Sequence, residues 1–238
     1  FGTLLEYDQF DHLIWSWKSV RYFENSDLVN YRSPDAVPLI DLHENAFFFD
    51  EKNQVIYLSY RNISRVIKIS YPDGKVIATY GELFTAGQPL QGNNLFCGEH
   101  SIRITPDNLL LMFNNSTCSK GTSSEIDLFR EPATPQSTLE KIWTYTCSRD
   151  VPSADGFPTG GNVLFLPGNA LFVATAAPDA KVFIINRNKE ILWSAIPEHW
   201  SELQKQWNPE TQYRASIIVS RTAMEQFIWR SAGGRPNN

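Results

Sequence analysis

Cysteine, histidine and methionine are scarce in this sequence, and what is missing narrows the field before any motif is read. Three cysteines, Cys97, Cys118 and Cys147, are too few for a disulfide framework and stand at no zinc-type spacing. The 21 basic residues form no run and are outnumbered by 26 acidic ones, for a net charge of −5, so neither a nucleic acid nor an anionic membrane surface is an expected partner. No apolar run comes near the roughly 20 residues that a membrane-spanning helix needs. No signal peptide is visible, the chain starting at Phe1. Helical periodicity is nearly absent as well. The exception is 198–206, a polar segment with Trp200, Leu203 and Trp207 at helical spacing, which predicts a short helix on a loop.

What is present is aromatic and repetitive. A 42% hydrophobic and 13% aromatic content with seven tryptophans predicts a well-packed globular core. Residues 42–61 read as two apolar strands folded about the polar tip Asp50-Glu51-Lys52-Asn53-Gln54, a hairpin signature. Further strands follow at 65–70 and 74–81. The same order of hairpin, strand, turn and strand recurs with third strands at 124–129 and 181–186 and fourth strands at 139–146 and 189–194, and residues 1–8 have the shape of a fourth strand. The hairpins open near His43, His100, Gly160 and Tyr213, a period of about 55 residues, close to that of propeller repeats once loops are allowed for. The predicted fold is all-β: a β-propeller of four-stranded antiparallel blades. Residues 1–238 form either one such domain, of about four blades, or the C-terminal part of a larger ring.

Hairpin geometry gathers candidate site residues. A fold point at Lys52 sets His43 opposite Arg61, and strand alternation puts Asn45 on the same face as His43. In the next unit a turn at Pro106-Asp107-Asn108 sets His100 opposite Asn114, and Asn162 holds the position of Asn45 in the third. The innermost strands of a propeller line one channel, so these six residues should converge on one rim. An imidazole, amides and a guanidinium together suit an anion. The blander reading is that Asn45, Asn114 and Asn162 bond backbone groups at strand ends and Arg61 pairs with Asp41 or Glu44. A hairpin about Asp107 and Asn108 also sets Cys97 opposite Cys118; they form a disulfide or remain two buried thiols, and a bridge would imply an oxidising compartment. Sequons at Asn62, Asn114 and Asn115 are compatible with secretion.

The ordered set H-x-N at His43, S-x-R ending at Arg61, E-H-S at Glu99, L-L-L-M-F-N-N at 109–115 and Y-R-A at Tyr213 resembles the bacterial arylsulfotransferases, with support from Asp11-His12 and the strand 74–81. The resemblance spans roughly residues 7–215. It implies a six-bladed propeller that moves a sulfuryl group from a phenolic sulfate ester to a phenol without a nucleotide donor or any cofactor, in the periplasm or outside the cell. By that resemblance His100 is the histidine that is transiently sulfated, while His43, Asn45 and Arg61 hold the sulfuryl oxygens. A further histidine of the family is either replaced by His12 or lies ahead of this chain. His43 is in addition a candidate general acid and base, Asn114, Asn162 and His12 candidate substrate ligands, and Phe96, Phe157, Trp15 and Trp17 candidate walls for a phenol ring. The alternative is a propeller that only binds a ligand or protein, its polar rim vestigial.

Overall fold

The computed structural model describes residues 2–23, 41–81, 95–117, 123–133, 138–147, 160–176, 180–210, 212–218 and 220–222. The chain is all-β, and its strands follow the repeat in order. A two-stranded antiparallel sheet, β1 (Thr3–Tyr7) with β2 (Leu13–Lys18), comes first. Three four-stranded antiparallel meanders follow: β3 (Glu44–Asp50), β4 (Val55–Tyr60), β5 (Arg65–Ser70) and β6 (Val76–Gly81); β7 (His100–Ile104), β8 (Leu110–Asn114), β9 (Glu125–Arg130) and β10 (Glu140–Thr146); β11 (Asn162–Leu166), β12 (Ala170–Thr175), β13 (Lys181–Asn186) and β14 (Ile191–Ala195).

The second strand of each meander explains the stacking. β4 (VIYLSY), β8 (LLMFN) and β12 (ALFVAT) are buried along their whole length. Such near-continuous apolar runs belong to strands covered on both faces. Alternate residues of β4 enter two different cores: Ile56, Leu58 and Tyr60 pack with Trp17 and Phe23, while Val55 and Tyr57 pack with Ile102, Leu110 and Met112 of the next sheet. β8 repeats the arrangement, its Leu111 and Phe113 packing with Val163, Leu171 and Val173 of the third sheet. The sheets therefore stack face to face in chain order. Polar bonds reinforce the seams: Trp15 Nε1 donates to Pro72 O (2.8 Å), Trp143 Nε1 to Arg187 O (2.9 Å), and Tyr57, Lys68 and Tyr80 converge on Glu131.

Residues 198–206 are not helical. β15 (Glu198–Ser201) pairs with β16 (Gln206–Pro209) in a hairpin that sets Trp200 opposite Trp207, their rings 5.8 Å apart and edge-on. A seven-residue separation is two helical turns, but it also spans a four-residue turn between facing strand positions, and here the cross-strand aromatic pair wins. Of the segment expected to form a hairpin from Tyr213, residues 212–218 are irregular and 223–238 lie outside the described residues. Among the described residues no helix is long and apolar enough to cross a membrane.

Cys97 is disulfide-bonded and Cys147 is a free, buried thiol. Cys118, expected opposite Cys97, lies outside the described residues. Asn114 and Asn115 are buried, so their sequons are not acceptors in the folded chain; Asn62 is half-buried against Asp41.

Candidate functional site

The first strands β3, β7 and β11 all begin at the same end of the stack, where each is clipped to the next. Asn45 Nδ2 donates to Glu99 O (2.7 Å), Ser101 Oγ donates to Val163 O (3.0 Å), and Asn162 donates to Ala215 O (2.8 Å). The openings of these strands need unusual backbone. His43 and Ser101 have φ of +55° and +51°, and the third strand opens on Gly160-Gly161. A side chain on Gly160 would collide with Tyr213, and one on Gly161 with the Phe113 ring, so close approach as well as positive φ requires glycine there.

Two β-bulges change the register that an unbroken hairpin would give. In the first sheet Arg61 N donates to His43 O (3.0 Å), as the fold point at Lys52 predicts, but Asn45 is an extra residue between the pairs Glu44–Tyr60 and Ala46–Ser59. His43 and Asn45 thus do not follow simple alternation. In the second sheet an extra residue at Ser101–Ile102 puts His100 opposite Phe113 instead of Asn114. Asn114 turns away: its Oδ1 accepts from Cys97 N and Ser116 N, and its Nδ2 donates to Asp127 (2.9 Å). The neighbour Asn115, which the unbroken register passes over, reaches His100.

His100 is 1% exposed. Its Nδ1 lies 2.7 Å from Asn115 Oδ1 and 3.2 Å from Gly98 O, both of them acceptors. The Asn115 amide is oriented by its Nδ2, which donates to Gly160 O (2.9 Å). These contacts assign the proton to Nδ1 and leave the lone pair on Nε2. Nε2 faces the Tyr213 hydroxyl at 3.4 Å, and that ring, 54% exposed, stands edge-on over the imidazole. Burial pushes the His100 pKa down to about 4; the Asn115 and Gly98 contacts oppose this, while the nearby Arg61 and Arg214 guanidiniums add to it. His100 is therefore a neutral imidazole at pH 7, held in one tautomer, with its unprotonated nitrogen facing Tyr213.

Around it the structure gathers Glu99, Arg61, Asn45 and Arg214. Glu99 is fully buried, and burial pushes its carboxyl up to about 8, against the opposing effects of its own backbone N–H, of Ser59 and of Arg61. Arg61 starts a 3-10 turn after β4 and bonds Asn62 Oδ1 at 3.2 Å. Arg214 donates to Asn45 O (2.9 Å) and lies over the Tyr213 ring. Asn45, Arg214 and Asn162 open onto a cavity of about 530 Å³, which Ser101, Arg103 and Glu44 also line. Glu44 there accepts from Tyr60 (2.7 Å), and burial raises its pKa. The cavity thus has two arginines, Arg103 and Arg214, and one carboxyl, Glu44, among its lining residues.

The remaining candidates are placed elsewhere or otherwise engaged. His43 stands at the surface, its side chain 46% exposed and its Nδ1 3.8 Å from Asp41. It is joined to the cluster through its backbone bond to Arg61. Asn162 is held at both ends of its amide by Ala215. His12 is not brought to the cluster. It sits on the exposed β1–β2 tip, bonded to Asp8 (3.1 Å), beyond Glu6, which accepts from Tyr71 at the far end of the first sheet. Trp15 and Trp17 bond Pro72 and Gly74 at that same far end, and Phe96 is buried between sheets, so none of the three walls a site at His100. Phe157 lies outside the described residues. Sequence reasoning passed over Glu99, Asn115, Tyr213 and Arg214. All four stood in the quoted strings, Glu99 in E-H-S, Asn115 at the end of L-L-L-M-F-N-N, and Tyr213 and Arg214 in Y-R-A; Asn115 was passed over because of a one-residue register change.

No protein-family model matches the chain, and no curated protein is significantly similar to it. Solved structures are similar at low identity, three of them as follows. A protein from Lactobacillus plantarum is 14% identical at a TM-score of 0.38, with 71% of this chain and 41% of that one covered. A candidate 6-phosphogluconolactonase from Bacteroides uniformis is 12% identical at 0.46, with 86% and 62% covered. A protein of unknown function from Bacteroides caccae is 11% identical at 0.41, with 81% and 72% covered. The chain thus spans less than two thirds of the length of the first two.

Proposed function

We propose that the stacked sheets are successive blades of a β-propeller and that the corner around His100 transfers a sulfuryl group from a phenolic sulfate ester to a phenol. The observation that carries the reading is the state of His100: neutral, locked with its proton on Nδ1, and with Nε2 unprotonated beside two guanidiniums. In the first step Nε2 attacks sulfur, an N–S bond forms, and the S–O bond to the ring breaks to release a phenoxide. The ring becomes a sulfated imidazolium whose Nδ1–H remains bonded to Asn115. In the second step the phenol oxygen attacks sulfur, the N–S bond breaks, and neutral His100 is regenerated. Splitting the transfer this way avoids a three-body encounter. Arg61 and Arg214 are the cations that would hold the sulfuryl oxygens, each charge-assisted bond contributing about 1.5–3 kcal/mol. His43, at the surface beside Arg61, is the candidate to protonate the departing phenoxide and deprotonate the acceptor. Tyr213 covers Nε2, so its exposed ring swings aside or stacks on the incoming phenol. No cofactor is required. The disulfide at Cys97 supports an oxidising compartment, periplasmic or extracellular.

A second reading is favoured by one observation: His100 is buried and its Nε2 already meets Tyr213. On that reading the cavity with Arg103 and Arg214 holds an anionic ligand or partner without chemistry. Incubation with 4-nitrophenyl sulfate and phenol separates the two. Sulfuryl transfer releases coloured nitrophenolate and leaves a sulfated His100 detectable by mass spectrometry when acceptor is omitted. Binding alone gives neither.

A further inference from the structure

Proton counting around Ser59 leads beyond the transfer chemistry. Asn45 Nδ2 points at Glu99 O (2.7 Å), a carbonyl that can only accept, so Asn45 Oδ1 must be the atom facing Ser59. Oδ1 in turn can only accept, and it lies 2.8 Å from Ser59 Oγ; the single hydroxyl proton of Ser59 is therefore committed to Asn45. Yet Ser59 Oγ is also 3.0 Å from Glu99 Oε1. With its own proton used, Ser59 is an acceptor in that contact, and the proton between the two oxygens must come from Glu99. Were Glu99 ionised, Ser59 would either set its lone pairs against the carboxylate or abandon Asn45 Oδ1 at 2.8 Å.

The other carboxyl oxygen gives the same answer independently. Glu99 Oε2 is buried and has no hydrogen-bond partner among the described residues. A lone buried carbonyl oxygen of a neutral acid is tolerable, whereas one end of a carboxylate left bare in a dry interior is not. The cations near Glu99 do not provide a partner: Arg61, on the turn after β4, bonds Asn62, and Arg214, on the C-terminal segment, bonds Asn45 O. His100, the next residue in the chain, is neutral and turned to Asn115 and Tyr213. Glu44, beside Asn45, is bonded to Tyr60.

We propose that Glu99 is built into this corner as a neutral acid, its proton held on Oε1 by the Ser59–Asn45 chain, and that its neutrality is what leaves Arg61 free to hold an anion. An ionised Glu99 would attract the Arg61 guanidinium and cancel its charge. Glu99 is thus a positioning residue: it acts on a bound anion through Arg61, and raising the pH far enough to remove its proton should switch the anion site off. The consequence for anion binding rests on the reading given above; the protonation state does not.

The test uses the full chain with ¹³C-labelled glutamate carboxyls, titrated by NMR from pH 5 to 9.5, with inorganic sulfate as the binding probe. One glutamate carboxyl should keep the shift of a neutral acid at pH 6.5 and titrate near pH 8. It should vanish in Glu99→Gln, and in Ser59→Ala its midpoint should move while that of Glu44 does not. Glutamate carboxyls that are all ionised by pH 6.5, or a late-titrating one that ignores both substitutions, would overturn the proposal. Sulfate affinity should fall about tenfold between pH 7 and 9 in the wild type and stay level in Glu99→Gln, whose amide donates to Ser59 as the acid does. An equal fall in both proteins would overturn the link to Arg61. Failure of sulfate to bind at any pH would sink the anion-site reading and, with it, that link, leaving the protonation of Glu99 decided by NMR alone.

Discussion

Two sheets of this molecule open on a histidine at the same end of the stack, and they treat it in opposite ways. β3 follows His43, which stays at the surface beside Asp41, tied to the sheet through its backbone carbonyl. β7 begins with His100, which is enclosed by Asn115, Gly98 and Tyr213. The side chains are identical, so the contrast comes from what surrounds each. The second sheet is covered by a third whose first residues are glycines, close enough for Asn115 to bond Gly160 and for Phe113 to lie against Gly161. Enclosure fixes a tautomer and removes a charge; exposure leaves the other ring open to solvent and to a substrate. On the proposed chemistry these are the qualities wanted of a nucleophile and of an acid–base group.

The contrast can be broken or sharpened by substitution. His100→Ala should reduce sulfuryl transfer from 4-nitrophenyl sulfate at least about a thousandfold, the scale of losing a principal catalytic group; retained turnover in that variant would end the assignment. Asn115→Ala should reach the same corner through stability. It leaves the His100 Nδ1–H without its shorter acceptor and Gly160 O without its side-chain donor, and should cost about 1–3 kcal/mol in urea unfolding. His43→Ala, at an exposed position, should change unfolding stability by no more than about 0.5 kcal/mol while still slowing transfer. His12→Ala, on the distant hairpin tip, should change neither.

The pH dependence of stability offers a finer comparison between Glu99 and His100. Burial raises the Glu99 carboxyl from 4.5 to about 8, so its contribution is complete below pH 4.5 and is lost as the pH rises through 8. Burial lowers the His100 imidazole from 6.5 to about 4, so its contribution is complete above pH 6.5 and is lost as the pH falls through 4. Between pH 4.5 and 6.5 the two slopes, each about 1.4 kcal/mol per pH unit, oppose one another. Relative to wild type, Glu99→Gln should therefore lose stability as the pH falls through that window, and His100→Gln should gain it. Urea midpoints at pH 4.5, 5.5 and 6.5 read the slopes; parallel curves for all three proteins would contradict the buried pair.

Much of the architecture was legible in the sequence because a strand covered on both faces writes itself as an apolar run. The third strands at 65–70 and 181–186 lie where alternation and turn chemistry put them. Harder to read were features that depend on one residue more or less. A bulge adds a residue without altering the apolar pattern around it, so Asn45 and the Ser101–Ile102 step left no mark, and His100 was set against Asn114 when the structure turns Asn115 to it. The 198–206 segment failed for another reason, since a seven-residue aromatic spacing serves a helix and a short hairpin equally. Burial itself was the least visible: Glu99 reads as an ordinary charged residue until a neighbouring sheet closes over it.

The account rests most heavily on which nitrogen of His100 carries the proton. Long-range ¹H–¹⁵N NMR of the imidazoles reads this directly. It should show His100 neutral, with Nδ1 protonated and Nε2 bare, from pH 7 down to pH 5. A His100 protonated on Nε2, or one that gains its second proton near pH 6.5, would contradict the account.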